Sequence, residues 1–224
     1  MLWVGFNDFQ NKIIVCEWTT NTNKTATREF DERVYNQIFQ GKWYTFISAW
    51  WSIGDMKNHI HVAKKIFEWC IYSAVKDSDS KNATDLESEK TKYKSEFGFP
   101  LFHIAKHDLE EYILDNNVVS VLLSKYWNNT SEDFTKSYNE EVNKLKDKNY
   151  WVNIKSKWLE RHDIHDNIYQ LIHKEIHSLS NKKISLKYKD IQDLLAQIIY
   201  DHKSDGWPIQ ALYEELETCI FWTN

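Results

Sequence analysis

Eleven Trp, twelve Tyr and eleven Phe, set against only five Gly and two Pro in 224 residues, constrain this chain more than any other feature it has. Rings of that size need an extensive interior or a partner surface to cover them. A chain of this length buries such an interior without staples. Cys16, Cys70 and Cys219 fit that picture: they stand far apart beside apolar neighbours, form no CxxC, and read as small core residues in a reducing compartment.

Where the rings fall suggests helices. Tyr35, Phe39, Trp43, Phe46 and Trp50 recur at helical spacing, which predicts one helix with an all-aromatic stripe. Met56, Ile60, Ala63, Phe67, Cys70, Ile71 and Ala74 predict a second helix, antiparallel to the first. The strand signal is confined to the start, where Leu2–Phe6 and Ile13–Trp18 flank a polar turn as a β-hairpin would. Residues 77–92 carry almost no apolar side chain and read as a linker or loop.

Beyond that stretch, Pro100 fits the first turn of a helix reaching Asp115, and Val118–Trp127 is an apolar segment. A charged helix is expected over Thr130–Lys148, another over Tyr150–Ser180, one carrying Ile191, Leu194, Leu195 and Ile198, and a last one opened by Pro208. The expected fold is mostly α: an irregular helical bundle of about seven or eight helices with a short N-terminal β-hairpin. It is read as a single helical domain over 1–224, with a possible subdivision into 1–76, a linker at 77–92 and a bundle at 93–224.

The opening MLWVGFNDFQ lacks a basic region and turns polar after six residues, so no signal peptide is expected. The apolar run Trp43–Gly54 is too short to span a bilayer, which predicts a cytoplasmic protein without a membrane partner. The formal charge of −5 and only three Arg among 28 basic residues argue against a general duplex-DNA surface. No GxxxxGK[ST], GxGxxG or GxSxG occurs, so no phosphate-cradling glycine loop or nucleophile elbow is expected.

Histidine supplies the chemical lead. His103 with His107, and His173 with His177, are spaced i, i+4, which lets two imidazoles on one helix reach one metal ion. With Glu111 or Asp166 as further ligand or general base, the two pairs predict a site for a transition metal such as Zn, Mn or Fe in a hydrolase; otherwise no cofactor is expected. Three His-Asp dipeptides, at His107, His162 and His165, are similar in order to the HD phosphohydrolase pattern. There His59 or His61 would come first and Asp163 or Asp166 last, but the surrounding residues do not match and none is carried over.

The aromatic surplus points elsewhere. Trp50 and Trp51 lie about 100° apart on a helix and cannot share one core face. With Trp127 and the acidic residues Asp77, Asp79, Asp85 and Glu87 they make a candidate docking surface. The leading expectation is a non-enzymatic, protein-binding or inhibitory protein of the immunity or antitoxin kind, from phage–bacterial conflict. A third reading has Trp43, Trp50 or Trp51 stacking the bases of a single strand or nucleotide.

Overall fold

A computed structural model describes residues 12–16, 30–48, 65, 70–79, 81–126, 131–146, 158–205 and 207–221. The chain forms two compact units: unit 1 comprises 1–105 with 215–224, and unit 2 comprises 106–214.

Unit 1 overturns the expected hairpin and helical pair. Its centre is a four-stranded sheet in which every adjacent pair is parallel, in the order β2-β1-β3-β4. The strands are β1 (Lys12–Cys16), β2 (Tyr44–Ser48), β3 (Ile71–Lys76) and β4 (Leu101–His103). β1 is no hairpin arm: Ile14 pairs with Phe46 on one side and Ser73 on the other, as a central strand does. Leu2–Phe6 lies outside the described residues.

The all-aromatic helix is also corrected. Helix α1 (Phe30–Ile38) ends before Gly41, whose φ of 79° is cheap only for glycine, and the chain returns as β2. Tyr35 and Phe39 then stack on Phe46 at ring distances of 4.8 and 5.6 Å, from helix to strand. Ile71 and Ala74 of the second expected helix lie on β3, whereas Met56, Ile60, Ala63 and Phe67 fall outside the described residues. The expected linker overlaps helix α2 (Ala83–Phe97), started by the Asn82 side chain accepting from the Asp85 N–H and ended by Gly98 at φ 71°. The chain after Pro100 is β4 instead of a helix, because Leu101 and Phe102 continue the sheet beside β3.

Helices cover both faces. α1 lies over Ile14 and Phe46, while Tyr93 and Phe97 of α2 pack with Val15, Tyr72, Ala74, Phe99 and Leu101 on the other face. That follows from right-handed crossovers: β1 to β2 moves one way across the sheet and β3 to β4 the other, so their helices fall on opposite sides. On the edge strand β2, the Asn36 side chain donates to the Phe46 carbonyl at 2.9 Å and accepts from its N–H at 3.0 Å. Backbone groups that would otherwise face a free edge are thereby paired.

Unit 2 is helical: α3 (Glu110–Ile113), α4 (Asn116–Ser124), α5 (Glu132–Lys146), α6 (Trp158–Leu179) and α7 (Tyr188–Asp201). Helix α8 (Ile209–Phe221) begins in this unit and ends in unit 1. α5 packs on α6, and α7 contacts α3, α4 and α6. Ile164, Ile168, Ile172 and Ile176 give α6 its buried stripe, facing a core that includes Leu122, Tyr138, Leu195 and Ile199. Among the described residues no helix is long and apolar enough to cross a membrane.

Candidate functional site

In an open parallel sheet all strands end at one edge, and a crevice opens there where successive connections depart to opposite faces. Here that point lies between β1 and β3, since the chain leaves β1 for α1 and leaves β3 for α2 on the other side. Side chains at that edge come from the ends of strands and the first turns of helices.

On the β1 side the ends of β1 and β2 pair, Cys16 opposite Ser48. The first turn of α1 brings Asp31 and Glu32, and a Glu32 oxygen accepts the Ser48 N–H at 2.9 Å. Cys16 is buried and its thiol is pushed well above its ordinary value, first by burial and then by the Asp31 charge. A thiol held neutral in this way, donating to the Ile47 carbonyl, is no nucleophile.

The β3 side is more polar. β3 ends at Lys76 and is followed by Asp77, Ser78 and Asp79; Asp77 is half-buried, and Asp79 is exposed with φ of 49°. Glu89 reaches over from α2 and joins this edge into one network. One of its oxygens takes the Lys76 ammonium at 2.7 Å; the other meets Lys81 at 3.0 Å and His103 Nε2 at 3.1 Å. Lys81 also pairs with Asp79 at 3.2 Å. Burial lowers the His103 pKa against the raising effect of Glu89, so at neutral pH the ring is uncharged and donates its Nε2–H to the carboxylate. In that tautomer the buried Nδ1 carries no proton and is an acceptor, and it has no hydrogen-bond partner among the described residues.

Burial raises the Glu89 pKa, but the Lys76 hydrogen bond and charge, with Lys81 behind them, outweigh it and bring it to about 2. A carboxylate depressed on folding stabilises the native state above its unfolded pKa and loses that contribution as pH falls through the folded one. With 20% of the side chain exposed, solvent screening reduces the benefit to roughly 2 kcal/mol. The expected result is that wild type loses thermal stability more steeply than Glu89→Gln between roughly pH 5 and pH 2. Parallel melting-temperature profiles over that range would show that the network contributes nothing.

Trp50, Trp51, Trp127, His59 and His61 lie outside the described residues. Asp85 and Glu87 are exposed on α2, beyond the edge network. His103 and His107 do not share a helix, since His103 lies on β4. His103 ends β4 in unit 1, whereas His107, His173 and His177 belong to unit 2. His173 and His177 hold the Leu186 and Ile184 carbonyls through Nδ1, at 2.6 and 2.9 Å. A Glu111 oxygen accepts the His107 backbone N–H, and Asp163 and Asp166 are exposed. Among the described residues the only cluster of three or more His, Cys, Asp or Glu spaced to share a metal is Asp108, Glu110 and His165.

No protein-family profile, curated protein or solved structure matches the chain. Any functional reading therefore rests on its own geometry.

Proposed function

We propose that this chain is a divalent-metal-dependent phosphodiester hydrolase working at the carboxyl edge of the unit 1 sheet. The observation that carries this reading is the parallel order β2-β1-β3-β4, which puts the switch point beside the strand that runs directly into Asp77 and Asp79. Two carboxylates two residues apart are hard oxygen donors of the kind that Mg²⁺ or Mn²⁺ takes. A divalent ion held there would polarise a phosphoryl oxygen and lower the pKa of a bound water.

Charge supports a diester over a monoester. On the β3 side, two ammonium groups, Lys76 and Lys81, face three carboxylates, Asp77, Asp79 and Glu89. That leaves one formal negative charge, which a single divalent ion turns into one positive charge, the complement of a monoanionic diester. Lys81 is positioned to bind substrate, since its pairing with Asp79 is at the surface. Glu89 orients both lysines. The acidic whole-chain charge favours a small or single-stranded substrate over a duplex.

The test is hydrolysis of bis-p-nitrophenyl phosphate and of a single-stranded oligonucleotide by the full chain, with Mg²⁺ or Mn²⁺ and with EDTA. Metal-dependent turnover of either, exceeding that of p-nitrophenyl phosphate, is the expected result. Absence of turnover of both diesters at saturating metal would refute the reading. A second reading, docking as an inhibitor on a protein partner, is favoured by Trp207 at 85% exposure and Trp43 at 60%. It predicts no turnover in the same assay.

A further inference from the structure

We infer that Asp108, Glu110 and His165 of unit 2 bind a divalent transition metal of the zinc class, at a site separate from the sheet edge. The loop before α3 carries Asp108, α3 opens with Glu110, and α6 carries the imidazole, 57 residues after Asp108 and 55 after Glu110 in the sequence. Asp108 and His165 are buried, at 6% and 4% exposure, and Glu110 is half-buried. Their ligand atoms all lie within 4.8 Å of one another.

The two carboxylates approach opposite nitrogens of the His165 ring, and an ion would take one of those nitrogens together with an oxygen from each carboxylate. His165 Nε2 stands 3.6 Å from Asp108 Oδ2, and His165 Nδ1 stands 3.8 Å from Glu110 Oε1. Both exceed a charge-assisted hydrogen bond, which closes to about 2.7–2.9 Å. Two ligands each about 2.1 Å from a tetrahedral ion are separated by about 3.4 Å, which the Nε2–Oδ2 pair of His165 and Asp108 approaches at 3.6 Å. The other Asp108 oxygen, Oδ1, accepts the Glu111 N–H at 3.1 Å, which fixes the carboxylate with Oδ2 turned toward the imidazole. His107 Nδ1 lies 3.4 Å from the same Oδ2, so a second imidazole neighbours that oxygen.

One imidazole nitrogen and two carboxylate oxygens make a mixed N/O set, suited to Zn²⁺, Mn²⁺, Fe²⁺ or Co²⁺ and not to the oxygen-only preference of Ca²⁺. Three protein donors leave a position for water. Bound metal would fasten Asp108 and the start of α3 to α6, so loading should also stabilise unit 2.

The test is calorimetric titration of the full chain with Zn²⁺, comparing wild type, His165→Ala and the double variant Asp77→Asn/Asp79→Asn. The expected result is an equivalent of zinc bound by wild type and by the double variant, with affinity for it at least about 100-fold weaker in His165→Ala. Because His165→Ala removes a buried ring, Mn²⁺ broadening of the His165 ring resonances in the wild-type protein provides an independent readout. A His165→Ala chain that keeps the same zinc equivalent and affinity would overturn the proposal. So would sharp wild-type His165 resonances, with both ring nitrogens protonated, at saturating Mn²⁺; His165 would then be an imidazolium bridging two carboxylates. Loss of the sheet-edge activity in the double variant bears only on the other site, so the two readings fail separately.

Discussion

Asp77→Asn and Asp79→Asn are each expected to cut Mg²⁺-dependent diester hydrolysis by at least about 100-fold while leaving the melting temperature close to wild type. Asparagine keeps the shape of aspartate and tolerates the left-handed backbone at residue 79, where φ is 49°, so the substitution isolates the charge. The ion pair lost at Asp79 is a surface one, 3.2 Å from Lys81 with about half of the carboxylate side chain exposed, and surface pairs of this kind contribute ~0–1 kcal/mol. A fall in kcat with little change in KM is the signature of a group needed for the transition state. A rise in KM alone would make both carboxylates substrate-binding groups. Lys81→Ala should behave in that second way, because its ammonium meets a substrate anion without touching the reacting bond. Variants that keep wild-type kcat would remove the sheet edge as the catalytic centre.

Reading the sequence was most productive where one face of a helix meets one core. α5 and α6 fall within the expected Thr130–Lys148 and Tyr150–Ser180 helices, α7 carries the Ile191, Leu194, Leu195 and Ile198 stripe, and Ile164, Ile168, Ile172 and Ile176 are buried as their spacing requires. The sheet was opaque for a physical reason. A parallel strand covered on both faces shows no alternation: Ile14, Val15 and Cys16 are consecutive and all buried, as are Tyr72, Ser73, Ala74 and Val75. Short apolar runs of that kind look the same in a buried helix as in a buried strand. Residues 77–92 looked like linker because Leu86 is their one large apolar side chain, yet the Asn82–Asp85 cap was a legible helix start. Asp77 and Asp79 stood out for their charge, but their meaning depended on the strand before them. His165 lay between the polar and buried faces of its helix, which is where a side chain must sit to be buried and still meet a carboxylate.

Phe46→Ala is expected to destabilise the protein by about 3–5 kcal/mol. Its ring has no exposed surface and carries two stacked neighbours, Tyr35 and Phe39. Truncation leaves a cavity bounded by aromatic faces on a short helix, which cannot collapse to fill it. Those three residues are also why the helical spacing misled: the rings do meet, but only because the chain reverses at Gly41 and lays β2 back under α1. Asn36 couples the two elements through both Phe46 backbone groups, and Glu32 couples them again at Ser48. Loss of the Phe46 ring should therefore loosen the carboxyl edge as well as the core, lowering the urea midpoint and the hydrolytic rate together. Phe46→Leu, which retains most of the buried volume, should recover the larger part of both. A Phe46→Ala chain with a wild-type urea midpoint would mean that α1 and β2 are not held together by these rings, and the crevice beside them would lose its rigid wall.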